Sequence, residues 1–158
     1  MRIREAVIDD FERIDALYEQ VDKLHRDAHP EIYVNPVTPV RTVERISSII
    51  QDDLIKLNVV ELNGEVIGLA RGEIMTSSDV ALYKKRAWLL VGIIVVDDKY
   101  RGKGYGQNLL DSLYSWAKEK EIQEVELTVY SFNKEAIRFY ETNGFSKISQ
   151  KMKRNIKS

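Results

Sequence analysis

Six consecutive residues, Arg101-Gly102-Lys103-Gly104-Tyr105-Gly106, combine three glycines with two cations shortly after an apolar run that ends at Val96. Glycines let backbone N–H groups approach a ligand with no side chain in the way. Leu109, Leu110, Leu113, Trp116 and Ala117 then recur at helical spacing, so the loop opens onto an amphipathic helix. The first N–H groups of a helix lack internal acceptors and carry the positive end of its dipole. A glycine-rich turn at that point is an anion site suited to phosphate, and Arg101 and Lys103 add charge beside it. Two nucleotide motifs fail here. A P-loop needs Ser or Thr after Gly-Lys, whereas Lys103 is followed by Gly104; the dinucleotide fingerprint needs a third glycine where Gln107 stands, together with an early βαβ unit.

Other candidate chemistry is weaker. His25 and His29 stand four apart, a spacing that metal pairs use, but the residues between them are Arg-Asp-Ala and no third ligand is evident. They read as helix-end or pocket-lining residues, and no metal is expected. The absence of cysteine excludes a thiol nucleophile, an acyl-cysteine intermediate, a zinc–thiolate site and any disulfide.

The elements that must position the loop follow from periodicity and punctuation. Met1 to Val7 reads as a strand. Asp9 or Asp10 is placed to cap a helix carrying Phe11, Ile14, Leu17, Tyr18, Val21 and Leu24 on one face, which ends before Pro30. Thr42 caps a second helix through Val43, Ile46, Ile49 and Ile50. Leu57 to Leu62 and Glu65 to Ile74 flank Asn63-Gly64 and read as a hairpin. Ala87 to Val96, rich in branched residues, reads as a central strand. Gly104 to Lys120 is a helix, Val125 to Tyr130 a strand, Lys134 to Thr142 a helix capped by Ser131 or Asn133 and stopped at Gly144, and Phe145 to Met152 a last strand. A basic tail of Lys151, Lys153, Arg154 and Lys157 reads as solvated charge. The fold class is α/β: one domain over residues 1–158 with a mixed central sheet and helices on both faces.

With 24 basic and 25 acidic residues among 158 the net charge is −1, so no field is built to hold nucleic acid or an anionic membrane. The N-terminus does not read as a signal peptide, and the longest apolar run is about half of what a spanning helix needs. A cytoplasmic protein is expected.

Arg101, Gly104 and Gly106 form an Arg-x-x-Gly-x-Gly pattern at the end of an Ile94-x-Val96 strand. Further on, Asn133-x-x-Ala136-x-x-Phe139-Tyr140-x-x-x-Gly144-Phe145 follows the next strand. In that order, with a helix and a strand between, the two segments resemble the coenzyme A loop and the final motif of the GNAT N-acetyltransferase superfamily. The resemblance covers about Leu57 to Met152, and the N-terminal third in element order alone. It implies a mostly antiparallel sheet and acetyl-CoA as cosubstrate. It implies that the amides of Arg101, Gly102, Lys103, Gly104, Tyr105 and Gly106 hold the pyrophosphate, that the backbone of Ile94, Val95 and Val96 pairs with the pantetheine arm, and that Asn133 belongs to the cofactor site. The strand from Val125 would splay away to leave a slot for the thioester.

Acetyl transfer to an amine sets two proton requirements. A thiolate must leave, with a conjugate-acid pKa of ~8.5, and a tyrosine, with a pKa of ~10, is still protonated near neutral pH and able to donate a proton or a hydrogen bond to the departing sulfur; the resemblance assigns that role to Tyr140. A lysine-like amine is neutral only about 0.04% of the time at pH 7, a deficit of roughly 4.6 kcal/mol, so a general base is expected. Glutamates that some members carry are replaced here by the Ala87-Trp88-Leu89 stretch and by Thr128. Glu73, Glu126 and Asp97 are the remaining candidates, with Glu73 first because its strand neighbours the central one. The acceptor is a small amine, an antibiotic, an amino acid or a peptide terminus, and the stretch from His29 to Pro39, Tyr33 included, is expected to shape its pocket. The competing reading is a module that binds acetyl-CoA without turnover. Dimers are common in the superfamily, and no residue pattern here establishes a homodimer.

Overall fold

A computed structural model describes residues 1–156; Lys157 of the basic tail lies outside the described residues. The chain forms two compact units, Met1–Thr128 and Val129–Ser158.

The first unit contains β1 (Arg2–Glu5), α1 (Phe11–Ala28), α2 (Val43–Gln51), β2 (Ile55–Leu62), β3 (Glu65–Thr76), β4 (Ala87–Val96), α3 (Tyr105–Glu119) and β5 (Val125–Leu127). The strands lie in the order β1-β2-β3-β4-β5. β1 to β4 pair antiparallel, and β5 joins β4 in parallel after the α3 crossover. Asn63 and Gly64 both take positive φ, 53° and 83°, as a tight hairpin turn requires.

Alternation along each strand divides the residues between two layers. Leu57 and Val59 of β2 pack with Ile14 and Leu17 of α1 and Ile46 of α2. Asn58 between them points the other way and donates from Nδ2 to Ser112 Oγ of α3 at 2.9 Å. So α1 and α2 cover one face and α3 the other. β4 serves both faces through a bulge. Arg71 opposes Ile93 and Gly72 opposes Val91, which leaves Gly92 as the extra residue. Beyond it, Ile93 and Val95 join the α1/α2 core; before it, Leu89 lies with Leu113 of α3 around Gly72.

Several expectations are corrected. Thr42 caps α2, its Oγ1 accepting from the Arg45 N–H at 3.2 Å, but Asp10 gives α1 no side-chain cap. Its carboxylate accepts instead from the Val7 N–H at 2.9 Å and from both terminal nitrogens of Arg4 at 2.7 and 2.9 Å, a charged bidentate pairing that outcompetes a cap. β5 stops at Leu127 rather than Tyr130. No strand forms over 145–152, where Phe145, Ile148 and Met152 are spaced by three and four rather than two; Ile148 and Met152 are exposed.

The second unit is built on α4 (Lys134–Thr142). Asn133 Oδ1 caps it, accepting from the Ala136 N–H at 3.1 Å. The Tyr140 ring meets Phe139 and Phe145 edge-on at 5.3 and 5.5 Å.

Candidate active site

Beyond β4 the chain is clasped by Asp97. Its N–H donates to Ile67 O at 2.8 Å and its carbonyl accepts from the Tyr100 N–H at 2.8 Å. Its carboxylate accepts from the Lys99 N–H at 3.1 Å and pairs with Arg13 at 3.1 Å. Burial alone would raise the Asp97 pKa, but the Lys99 N–H and the Arg13 guanidinium outweigh it and hold the carboxyl below its usual range.

Gly102 and Gly104 follow with φ of +75° and +84°. A Cβ at either would meet nothing within 4 Å, so the glycines serve the backbone conformation rather than space. Gly104 starts α3 with no side-chain cap, and the N–H groups of Tyr105, Gly106 and Gln107 have no acceptor within the helix. Arg101 folds back: its Nε donates to Val96 O at 3.2 Å and its Nη2 pairs with Asp98 at 2.7 Å. Lys103 Nζ lies 5.7 Å from the Tyr100 ring centre. The cradle is therefore mainly backbone N–H, edged by two cations.

The edge of β4 opens just before this loop. β5 pairs with β4 over Leu89, Leu90 and Val91 only. Because the Asp97 N–H faces β3, alternation turns the backbone of Val95 toward β3 and that of Ile94 and Val96 toward the open side. Of the three residues expected to hold a pantetheine arm, Ile94 presents its polar backbone groups there and Val96 its N–H, the Val96 carbonyl accepting from Arg101, while the Val95 side chain fills the core.

The candidate bases separate. Glu126 is paired with Arg86 at 2.8 Å, and Asp97 is engaged as above. Glu73 opposes Leu90 of β4 and, two residues from Arg71, shares its face of the sheet. His25 stacks obliquely on Tyr33 at 5.7 Å and His29 Nδ1 lies 2.9 Å from Glu31. Among the described residues no group of three or more His, Cys, Asp or Glu could hold a metal ion, and no helix is long and apolar enough to cross a membrane.

One feature escaped sequence reasoning. Arg71 projects from β3 so that its Nη2 and Nε lie 3.0 and 3.2 Å from where a Cβ on Gly92 would sit. Beside it lies a pocket of about 150 Å³ lined by Tyr18, Arg41, Arg45, Ile46 and Ile49 among others. Arg41 covers the Tyr18 ring at 4.9 Å and is matched by Asp15 and Asp22, each at 2.7 Å. Burial pushes the Tyr18 phenol up, against the pull of the Arg71 and Arg41 guanidiniums. The available signal was a lone cation between Ala70 and Gly72 in an otherwise apolar strand.

An uncapped, glycine-started helix thus follows the open edge of a bulged strand in a mostly antiparallel α/β sheet, and comparison with known proteins shows which family builds this arrangement. The profile of the acetyltransferase (GNAT) family matches residues 17–145, and the chain belongs to that family. An uncharacterised N-acetyltransferase of Methanocaldococcus jannaschii is 34% identical over 87 residues, 55% of this chain and 37% of the relative, so the match spans little more than a third of that protein. A Bacillus halodurans protein crystallised as a tetramutant superposes with a TM-score of 0.91 at 24% identity, covering 99% of this chain and 100% of the other. An aminoglycoside N-acetyltransferase in complex with CoA gives 0.75 at 18% identity, covering 99% and 95%. At these identities the structures establish the fold, a mostly antiparallel sheet with helices on both faces.

Proposed function

We propose that the protein is a single N-acetyltransferase domain, both units included, that moves an acetyl group from acetyl-CoA directly to a primary amine. The observation that carries this reading is the backbone cradle: two glycines in left-handed conformation deliver an uncapped helix start at the end of an open strand edge. In this reading the amides from Arg101 to Gly106 take the pyrophosphate. Ile94 and Val96 hydrogen-bond the amides of the pantetheine arm as an added strand would, and Asn133, fixed by its cap, supports the cofactor site. The thioester then lies where β5 leaves β4, and backbone N–H groups stabilise the oxyanion.

Glu73, directly or through water, takes the ammonium proton; the neutral amine nitrogen then attacks the thioester carbon, the C–N bond forms, and the nitrogen's second proton leaves to solvent. The tetrahedral intermediate collapses, the C–S bond breaks, and the thiolate takes a proton from the Tyr140 hydroxyl. Glu73 is the base proposed because Asp97 and Glu126 are held in ion pairs.

Calorimetric titration with acetyl-CoA tests the cradle. Micromolar binding is expected, and an Arg101→Ala, Gly104→Val double variant should lose it; no binding by the intact protein would sink the reading. The engagement of two of three candidate carboxylates favours the competing reading, a binder without turnover. Tyr140→Phe separates the two: catalysis predicts a fall in kcat of at least ~10²-fold with acetyl-CoA affinity retained, whereas a pure binder shows no turnover to lose.

A further inference from the structure

Among the described residues, Arg71 Nε is the buried side-chain polar atom left without a hydrogen-bond partner. A buried donor without a partner is costly, and a guanidinium cannot escape by giving up its proton. The residues around it do not neutralise it. Arg41 is already matched by Asp15 and Asp22. Among the described residues, neither Arg71 nor Arg45 has a carboxylate within ion-pair distance. The pocket therefore carries two unmatched guanidiniums above an apolar floor that includes Ile46 and Ile49.

Its place matters as much as its charge. The Arg71 guanidinium lies directly over Gly92, where any Cβ would crowd it at 3.0 Å. Gly92 is the bulge at which the β4–β5 ladder has just ended after Val91. Glu73 is two residues along β3 on the same face, about 6.6 Å away along the strand.

We infer that the acceptor amine itself carries a carboxylate, which docks in this pocket against the fork of Arg71 with Arg45 at its mouth. The inference rests on the proposed transfer reaction for the role of the amine, and on this pocket alone for the anion. A planar fork of N–H donors matches a carboxylate bidentately. The pocket of about 150 Å³ has room for a compact carboxylate group. With the carboxylate on Arg71 and the amine toward Glu73, a zwitterion is oriented at both ends and its nitrogen is led to the opening of β4.

The test needs no turnover. Thermal unfolding of the intact protein is followed with short ω-amino acids, with their carboxamides and with inorganic phosphate, at matched ionic strength. The expected result is a rise of about 2–4 °C at high millimolar amino acid, absent for the carboxamides and absent in Arg71→Met. Arg71→Lys keeps the charge without the fork and should recover only part of the shift. Equal shifts for acid and amide, equal shifts in the native protein and Arg71→Met, or no shift at all overturn the inference. So does a shift that phosphate alone produces. A parallel acetyl-CoA titration keeps the two ideas apart. Arg71→Met should bind the cosubstrate as the native protein does. Loss of cosubstrate binding by the native protein with the carboxylate response intact would remove the transfer reaction and leave the anion site. If transfer is observed, Arg71→Met should raise KM for an amino acid at least 10-fold and leave KM for its amide unchanged; no such split overturns the inference.

Discussion

The residues that do most in the site are distinguished by what their backbone or charge is compelled to do. Gly104 sits at φ +84° with open space where a side chain would be. Gly104→Ala therefore adds no clash, yet it adds a left-handed penalty of about 1–2 kcal/mol. The loop should relax away from its cradle shape, and acetyl-CoA affinity measured by calorimetry should fall by about 10-fold while the far-ultraviolet spectrum stays unchanged. Arg101 contributes less directly than its charge suggests, because it is tied to Val96 O and Asp98. Asp97 clasps the same corner, and its lowered pKa has the cause expected of a clasp: an N–H and a guanidinium directed at its carboxylate.

At the scale of elements, β4 is the organising strand. A ten-residue apolar strand without a bulge would give each face every second side chain throughout. The extra residue at Gly92 reverses the phase midway, so Leu89 faces α3 while Ile93 and Val95 face α1 and α2. The same kink falls where β5 departs, which leaves Ile94 and Val96 with an open side. β3 is pressed close against this strand. A Cβ at Gly68 would lie 2.8 Å from the Val95 carbonyl oxygen, a backbone atom that has no rotamer to escape into. Gly68→Ala should cost about 1–3 kcal/mol by overpacking, seen as a lower urea midpoint with unchanged slope. Gly92→Ala meets instead the movable end of Arg71. It should leave the midpoint within about 0.5 kcal/mol of native while displacing the guanidinium, and so weaken the carboxylate-dependent thermal shift.

At the scale of the whole molecule, stability depends on carboxylates that pair across the sequence. Asp10 is nearly buried. Burial would raise its pKa, but Arg4 and the Val7 N–H outweigh that and hold it below the usual 3.8, as Lys99 and Arg13 do for Asp97. Groups with depressed folded values bind protons more readily when unfolded. Their contribution is complete above about pH 5 and is lost as the pH falls through the usual value and then through the lower folded ones. Acid titration followed by circular dichroism should thus show stability falling below about pH 4. Asp10→Asn should cost on the order of 2 kcal/mol at neutral pH and flatten that acid limb.

Much of this was legible in the residues. The Asn63-Gly64 turn, the Thr42 and Asn133 caps and the helix after Gly104 each depend on groups within about four residues of one another. Sequence reading places them correctly because the hydrogen bonds and backbone angles concerned are local. Asp10 was misread for the converse reason: its competing partner, Arg4, belongs to a different element. Length failed where local pattern gave out, at β5 and over 145–152, since a ladder exists only where a second strand supplies the other half of each bond. Tertiary structure alone decided that Asp97 meets Arg13 from 84 residues away, that Glu126 is matched by Arg86, that Gly92 is the extra residue of β4, and that Arg71 lies over it with a buried N–H unanswered. Local chemistry fixes how the chain turns and what a loop is able to bind. Register between distant strands fixes which charges meet and which are left for a ligand, because pairing energies act through space and no short window of residues contains both partners.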